Sequence, residues 1–138
     1  MIDHQKSKKA LKHLERQFEN YRRLDQRPYL TELDREAIRE SVIQRFETCY
    51  DSLWKHLKRY LVETLGLPEV PNSPKPVLRL ANENQLLGDI SRWLRYADAR
   101  IATAHDYSGS KLEAALPLPG FIDDAIHLYE TLSGETWE

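Results

Sequence analysis

The sequence predicts an all-α protein, an up-and-down four-helix bundle with one short extra helix. Three observations lead there. Apolar residues recur at steps of three and four through most of the chain. No segment alternates apolar and polar residues between hairpin turns. The five glycines, at 66, 88, 109, 120 and 134, all fall at breaks between the periodic runs.

The first helix carries Leu11, Leu14, Phe18 and Tyr21, with Glu, Arg and Lys between them. Arg27-Pro28 closes it, because the residue before a proline is pushed away from helical angles. A second helix starts near Thr31 or Asp34, either of which can serve as N-cap. Its stripe is Ile38, Val42, Phe46, Cys49, Leu53, Leu57 and Tyr60, and Gly66 followed by Leu67-Pro68 stops it. At 1.5 Å per residue its roughly 32 residues would reach about 48 Å, a bundle-helix length. Pro68, Pro71, Pro74 and Pro76 stiffen the connection that follows. Ser73-Pro74 can cap and start a short third helix through about Asn84. Gly88 breaks the chain and Asp89 caps a fourth helix bearing Ile90, Trp93, Leu94, Ala97 and Ile101, which ends near 105–109. A last helical region holds Leu112 and Leu116, is interrupted at Pro117-Leu118-Pro119-Gly120, and resumes through Phe121, Ile122, Ala125, Leu128, Tyr129 and Leu132.

A chain of 138 residues reads as one domain, residues 1–138, able to bury about two thirds of its unfolded surface without staples. Lys and Arg total 20 against 22 Asp and Glu, a formal charge of -2. No overall charge therefore holds the protein on nucleic acid or an anionic membrane. The distribution is uneven: residues 1–70 carry 14 basic and 12 acidic groups, the remainder 6 and 10. Anion binding must be local. The single cysteine, Cys49, excludes an intramolecular disulfide and fits a reducing cytoplasm; in its apolar stripe it reads as an inert buried thiol. No run approaches the roughly 18 apolar residues of a membrane span, and the basic N-terminus lacks the apolar core of a signal peptide. The expected location is the cytoplasm.

Several chemistries lack their residues. There is no phosphate-cradling glycine loop, no HExxH or paired-cysteine zinc spacing among the histidines at 4, 13, 56, 105 and 127, and no Gly-x-Ser-x-Gly elbow. No metal and no cofactor is expected. Arg35, Glu36, Arg39 and Glu40 read as a solvated helix face, and so do Lys55, His56, Lys58 and Arg59, although the latter cationic set could contact a partner or RNA. Trp54, with Phe46, Tyr50 and Leu57, reads as core in preference to a base-stacking platform.

The segment that stands out runs from Trp93 to Gly109 and contains Arg100, His105 and Tyr107. Arginine clamps a phosphate with a planar fork of donors, and histidine exchanges a proton near neutral pH. Five residues on an intact helix are about 140° of rotation, so Arg100 and His105 do not share a stripe. They converge only if Arg100 reaches along the helix, if the helix ends before His105, or if a second copy of the chain contributes. Asp98, two residues before Arg100, points elsewhere. Tyr96, four residues before it, shares its face and either lines the same cleft or packs beside it.

Arg100-x4-His105-x-Tyr107 resembles the Arg-x4-His-x-Tyr motif of HEPN-domain proteins encoded beside minimal nucleotidyltransferases. The segment 43–58, with Phe46, Glu47, Tyr50, Trp54, Lys55, Leu57 and Lys58, is similar to the long second helix of the nucleotidyltransferase substrate-binding protein family. The Ser73-Pro74 helix start and the motif near the end of the fourth helix also fall in family order. The resemblance implies a HEPN-like bundle that forms a two-fold homodimer, with Arg100 and His105 of both copies at the interface cleft. In active HEPN toxins such a cleft cuts RNA without a metal: the 2′-hydroxyl attacks the adjacent phosphate, His acts as acid or base, and Arg steadies the phosphate charge. The resemblance also implies a partner, a minimal nucleotidyltransferase encoded nearby, which in several toxin–antitoxin pairs silences the toxin by adenylylating the motif tyrosine, here Tyr107. One departure stands out. Many members carry Asn directly after the motif arginine, where this chain has Ile101, which cannot orient a neighbour by hydrogen bonding and which continues the apolar stripe as a core residue.

Two functional classes follow. One is a metal-independent endoribonuclease using Arg100 and His105 and silenced at Tyr107. The other is a non-catalytic subunit that presents substrate or nucleotide to the transferase. A plain dimeric scaffold fits everything except the motif.

Overall fold

A computed structural model of the protein describes residues 2–105 and 117–138. Among them the chain forms five α-helices: α1 (Gln5–Arg22), α2 (Glu32–Arg59), α3 (Pro74–Glu83), α4 (Ile90–His105) and α5 (Leu118–Ser133). No strand occurs among the described residues. Nor is any described helix long and apolar enough to cross a membrane.

Local chemistry sets where the helices begin. Thr31, in extended conformation, accepts from the Asp34 N–H while the Asp34 carboxylate accepts from the Thr31 N–H, a closed capping box at the head of α2. Ser73 precedes α3 in extended conformation without the expected capping bond from its side chain, and Pro74 at the first position starts the helix. The Asp89 carboxylate accepts from the N–H groups of Ser91 and Arg92 at the start of α4. The α1–α2 connection is tied by Arg35, whose guanidinium donates to the carbonyls of Leu24 and Arg27 at 3.1 and 3.0 Å. Arg35 is therefore a half-buried strut, not part of a solvated face. α2 gives way to a single π-type turn at Tyr60–Thr64, and Gly66, at φ +65°, turns the chain out of it.

One boundary shifts at α5. Pro117 stands outside the helix, but Leu118, Pro119 and Gly120 already form its first turn, while Leu112 and Leu116 lie outside the described residues. A proline near a helix start forfeits an N–H that has no intrahelical partner anyway, so it initiates where deeper in the helix it would break.

Side-chain pairs fix the directions of the helices. His4 meets His56, Ser7 meets Ser52 and His13 meets Arg45, so α1 and α2 are antiparallel. Thr103 and Arg100 of α4 meet Glu47 and Asp51 of α2, again antiparallel. Phe121 packs on Phe46, and Tyr129 lies edge-on to His4 beside His56, so α5 runs with α2. This is the up-down-up-down order, with α3 set between α2 and α4. Gly134, at φ +74°, then reverses the chain, and Trp137 returns along α1 to donate to Glu15 and lie under Lys12.

The core is apolar and continuous. Leu11, Leu14, Phe46, Leu57, Leu61 and Phe121 are fully buried, and Cys49 is enclosed among them, its thiol pushed up by burial. Phe121 stands edge-on to Phe46, Trp93 and Tyr96 at centroid distances of 4.9, 6.0 and 5.2 Å, which locks α2, α4 and α5 together.

Candidate functional site

The inward stripe of α4 is Trp93, Tyr96, Ala97, Arg100 and Thr103, spaced at three and four residues. Arg100 thus stands at a core-facing position, where a charge is stable only with partners. α2 supplies them. The Arg100 Nε donates to Asp51 Oδ1 at 3.2 Å and Nη2 to Oδ2 at 3.1 Å, while Nη1 donates to Glu47 Oε2 at 3.0 Å. The Thr103 hydroxyl donates to the same Glu47 oxygen at 2.9 Å. Two carboxylates four residues apart on α2 therefore clamp one guanidinium in a fixed plane.

The clamp forms one wall of a cavity of about 400 Å³ bounded by Tyr50, Asp51, Pro74, Lys75, Ala97, Arg100 and Ile101. Lys75 pairs with Asp98 at 2.7 Å, while the carboxylates that hold Arg100 are those of Glu47 and Asp51. Burial, and then the Asp51 carboxylate, push the Tyr50 phenol upward, so it stays neutral beside the cavity.

Ile101 departs from its expected place in the core: it is 52% exposed at the cavity rim. The apolar stripe of α4 continues through Ala97 to Thr103, which rotates Ile101 outward and makes Arg100 the inward residue. Tyr96 packs. It is 2% exposed, its ring meets Trp93 and Phe121, and its hydroxyl donates to Asp124, so within one chain it stands apart from the Arg100 cavity. Burial, and then Asp124, push the Tyr96 phenol up. Although burial opposes its charge, hydrogen bonds from Arg92 and Tyr96 hold the Asp124 carboxyl below its ordinary range.

α4 continues through His105, so the helix does not end before the motif histidine, and the two backbone positions stand about 140° apart around the axis. Tyr107 lies outside the described residues. Among the described residues, no group of three His, Cys, Asp or Glu side chains is placed to hold a metal ion.

A second polar cluster was not legible in the sequence. His56, 4% exposed, lies in the α1–α2 seam and not on a solvated face. Its Nε2 shares a 2.7 Å hydrogen bond with His4 Nδ1, its Nδ1 lies 3.0 Å from Ser7 Oγ, and Ser7 meets Ser52 Oγ at 3.1 Å. Burial, then His4 and Arg59, pull the His56 pKa down to about 4, so the ring is neutral near pH 7.

Glu47, Asp51 and Thr103 were missed as well. The signal was present for the two acids, since Glu47 and Asp51 directly follow Phe46 and Tyr50 of the buried stripe, four residues apart. What the sequence lacked was the cation that would face them.

The antiparallel bundle and the placement of Arg100 and His105 on one helix define a HEPN-type helical protein. The chain belongs to the family described as nucleotidyltransferase substrate binding protein like, whose sequence profile matches residues 3–133. Over 93 residues it is 32% identical to Probable ribonuclease HepT of Haemophilus influenzae, covering 65% of this chain and 64% of that protein's length. A Haemophilus influenzae structure described as the fold of a substrate binding domain of a nucleotidyltransferase superposes with a TM-score of 0.83 at 25% identity, over 94% of this chain and 98% of that one. A crystal structure from Thermus thermophilus gives a TM-score of 0.69 at 30% identity, over 92% of this chain and 98% of that one.

Proposed function

We propose that the protein is the HEPN partner of a separate minimal nucleotidyltransferase and that, as a homodimer, it is a metal-independent endoribonuclease. The observation that carries this reading is the position of Arg100. Its guanidinium is held rigidly at the edge of a cavity, on the helix that also bears His105, with an exposed isoleucine at the rim. One chain leaves the two motif residues on different sides of α4, and a second copy packed over Ile101 would bring another Arg100 and His105 to the seam. In the reaction, a 2′-hydroxyl loses its proton to a His105 imidazole and attacks the adjacent phosphorus. The 5′-oxygen leaves with a proton from the second histidine, giving a 2′,3′-cyclic phosphate and a 5′-hydroxyl. Arg100 offsets the charge that builds on the phosphate oxygens. The kinship to a protein named as a ribonuclease supports this assignment. Silencing would proceed by transfer of adenylate from ATP to the Tyr107 hydroxyl by the partner, with release of pyrophosphate. The cytoplasm is the matching compartment.

A second reading has its own observation. Glu47 and Asp51 already occupy the donors with which Arg100 would grip a phosphate, which favours a non-catalytic subunit that presents substrate to the transferase. RNA cleavage in EDTA separates the two. Unmodified wild type should cut and His105→Ala, at matched folding and dimerisation, should not; an inert wild type sinks the ribonuclease reading in favour of the binding subunit. Adenylylation is checked by a mass increase of one adenylate per chain after mixing with the transferase and ATP, absent in Tyr107→Phe.

A further inference from the structure

Several cations of this protein are paired with carboxylates. Arg22 and Arg23 meet Glu19, Arg39 meets Glu32, Lys75 meets Asp98, Arg92 meets Asp89 and Asp124, and Arg100 meets Glu47 and Asp51. Cations without such a partner gather on the face shared by the N-terminal half of α1 and the C-terminal half of α2. There Lys6, Lys9, Arg45, Lys55 and Arg59 are all exposed, and none has a carboxylate within ion-pairing distance among the described residues. Arg45 instead donates toward His13 Nδ1 at 3.1 Å, and Lys58 donates to the Asn72 side chain.

These cations line three adjoining concavities. The first, of about 300 Å³, is bounded by Lys6, Lys9, His13 and Arg45 with no acid in its wall. The second shares Lys6 and Ser52 with it and adds Lys55 and Arg59, and the third shares Lys55 and Arg59 and opens onto Trp54 and Lys58. Only Asp3 and Glu63 bring negative charge to the walls. From Arg45 to Arg59 the groove follows α2 for about 21 Å at 1.5 Å per residue. Partial burial and then Arg45, Lys9 and Arg16 hold the His13 pKa below its ordinary value, as expected of a locally positive field.

We propose that this groove binds the phosphodiester backbone of single-stranded RNA, with Trp54 at its far end as a base-stacking face. The groove is long, cationic and shallow, which suits a flexible polyanion. Trp54 is only half-buried, with the Lys55 ammonium 6.0 Å from its ring centroid, so aromatic surface and positive charge stand together. The groove also leads to the motif. Trp54 lies one turn of α2 beyond Asp51, and Asn72 directly precedes the Ser73-Pro74 wall of the Arg100 cavity. A strand held by its phosphates along α1 and α2 would reach that cavity with its end. This explains how a chain of net charge -2 can hold RNA: the excess charge is gathered on one face. The inference deepens the ribonuclease reading and rests on it for the choice of RNA.

The test uses a fluorescently labelled 12-nucleotide oligouridylate with 2′-O-methyl sugars, which cannot be cleaved by 2′-hydroxyl attack. Its binding to full-length protein is followed by anisotropy in EDTA. The quadruple variant K9Q/R45Q/K55Q/R59Q should weaken binding at least tenfold at about 0.1 M salt. It should also flatten the dependence of log K on log[salt] by about 3, four single-strand phosphate contacts' worth. Trp54→Leu should cost about fivefold, the loss of one stacked base. R22Q/R23Q, a charge control at the other end of α1, should bind as wild type. Affinity unchanged in the quadruple variant, or lowered equally by R22Q/R23Q, overturns the proposal. So does RNA affinity that survives in the quadruple variant while binding to the purified nucleotidyltransferase is lost, which would make the groove a protein-docking face. Groove-dependent binding by a wild type that never cleaves unmodified RNA leaves the groove standing and removes only the nuclease. Equal binding of the corresponding deoxyribonucleotide strand would widen the ligand to single-stranded nucleic acid and overturn the restriction to RNA.

Discussion

Arg100 of α4 and Asp51 of α2 meet fork to fork, with two nearly parallel hydrogen bonds of 3.2 and 3.1 Å between guanidinium and carboxylate. Parallel bonds fix the plane of the guanidinium as well as its distance. Glu47 takes a third N–H from the other nitrogen, so the motif arginine has almost no rotamer freedom left to lose when a ligand arrives.

Glu47 is the more buried of the two acids, with a side chain 14% exposed, and accepts from both Arg100 and Thr103. Glu47→Ala should destabilise the protein by about 1.5–3 kcal/mol, the range for hydrogen bonds to charged groups. The measurement is the urea midpoint at unchanged slope.

Burial, His4 and Arg59 keep the His56 imidazole neutral down to about pH 4, whereas in the unfolded chain it titrates at the ordinary histidine value. Between those values the unfolded state binds more protons than the folded one. Stability from this group is therefore complete above about pH 6.5 and declines as the pH falls toward 4. His56→Gln should lower stability at pH 7 and flatten the slope between about pH 6.5 and 4. A slope identical to wild type would show that His56 is not its source.

Phe121 is fully buried and edge-on to three aromatic rings drawn from α2 and α4. Phe121→Ala should cost about 3–5 kcal/mol in chemical denaturation, through lost transfer energy and the cavity left behind.

Ile101 is 52% exposed beside the Arg100 cavity, and if a second copy covers it, a charge there is buried without a partner. Ile101→Glu should yield monomers in light scattering with the helical circular dichroism of wild type. A dimer that survives the substitution would place the interface elsewhere.

The helices themselves were legible in the sequence because their causes are local. Thr31 with Asp34, and Asp89, satisfy N–H groups within three residues, Pro74 presets the first turn of α3, and spacing alone identifies Leu11, Phe46, Leu57 and Phe121 as core. The motif helix was legible too, as was the separation of Arg100 and His105 around it by about 140°. The start of α5 was placed three residues late because proline and glycine mark a break and a helix start alike, and the difference depends on which N–H groups lack partners.

Tertiary packing decided the rest. Whether His56 is solvated or buried depends on His4 and Ser7, some fifty residues away, since a helix face has no polarity until another helix covers it. The order in which α2 and α4 pack turned Arg100 inward onto Glu47 and Asp51 and left Ile101 outside, reversing what the apolar stripe had suggested. The concentration of unpaired cations along α1 and α2 is likewise a property of the packed pair. Caps and periodicity are set by neighbours within one helical turn. Charge pairing, burial and grooves are set by residues that only the fold brings together.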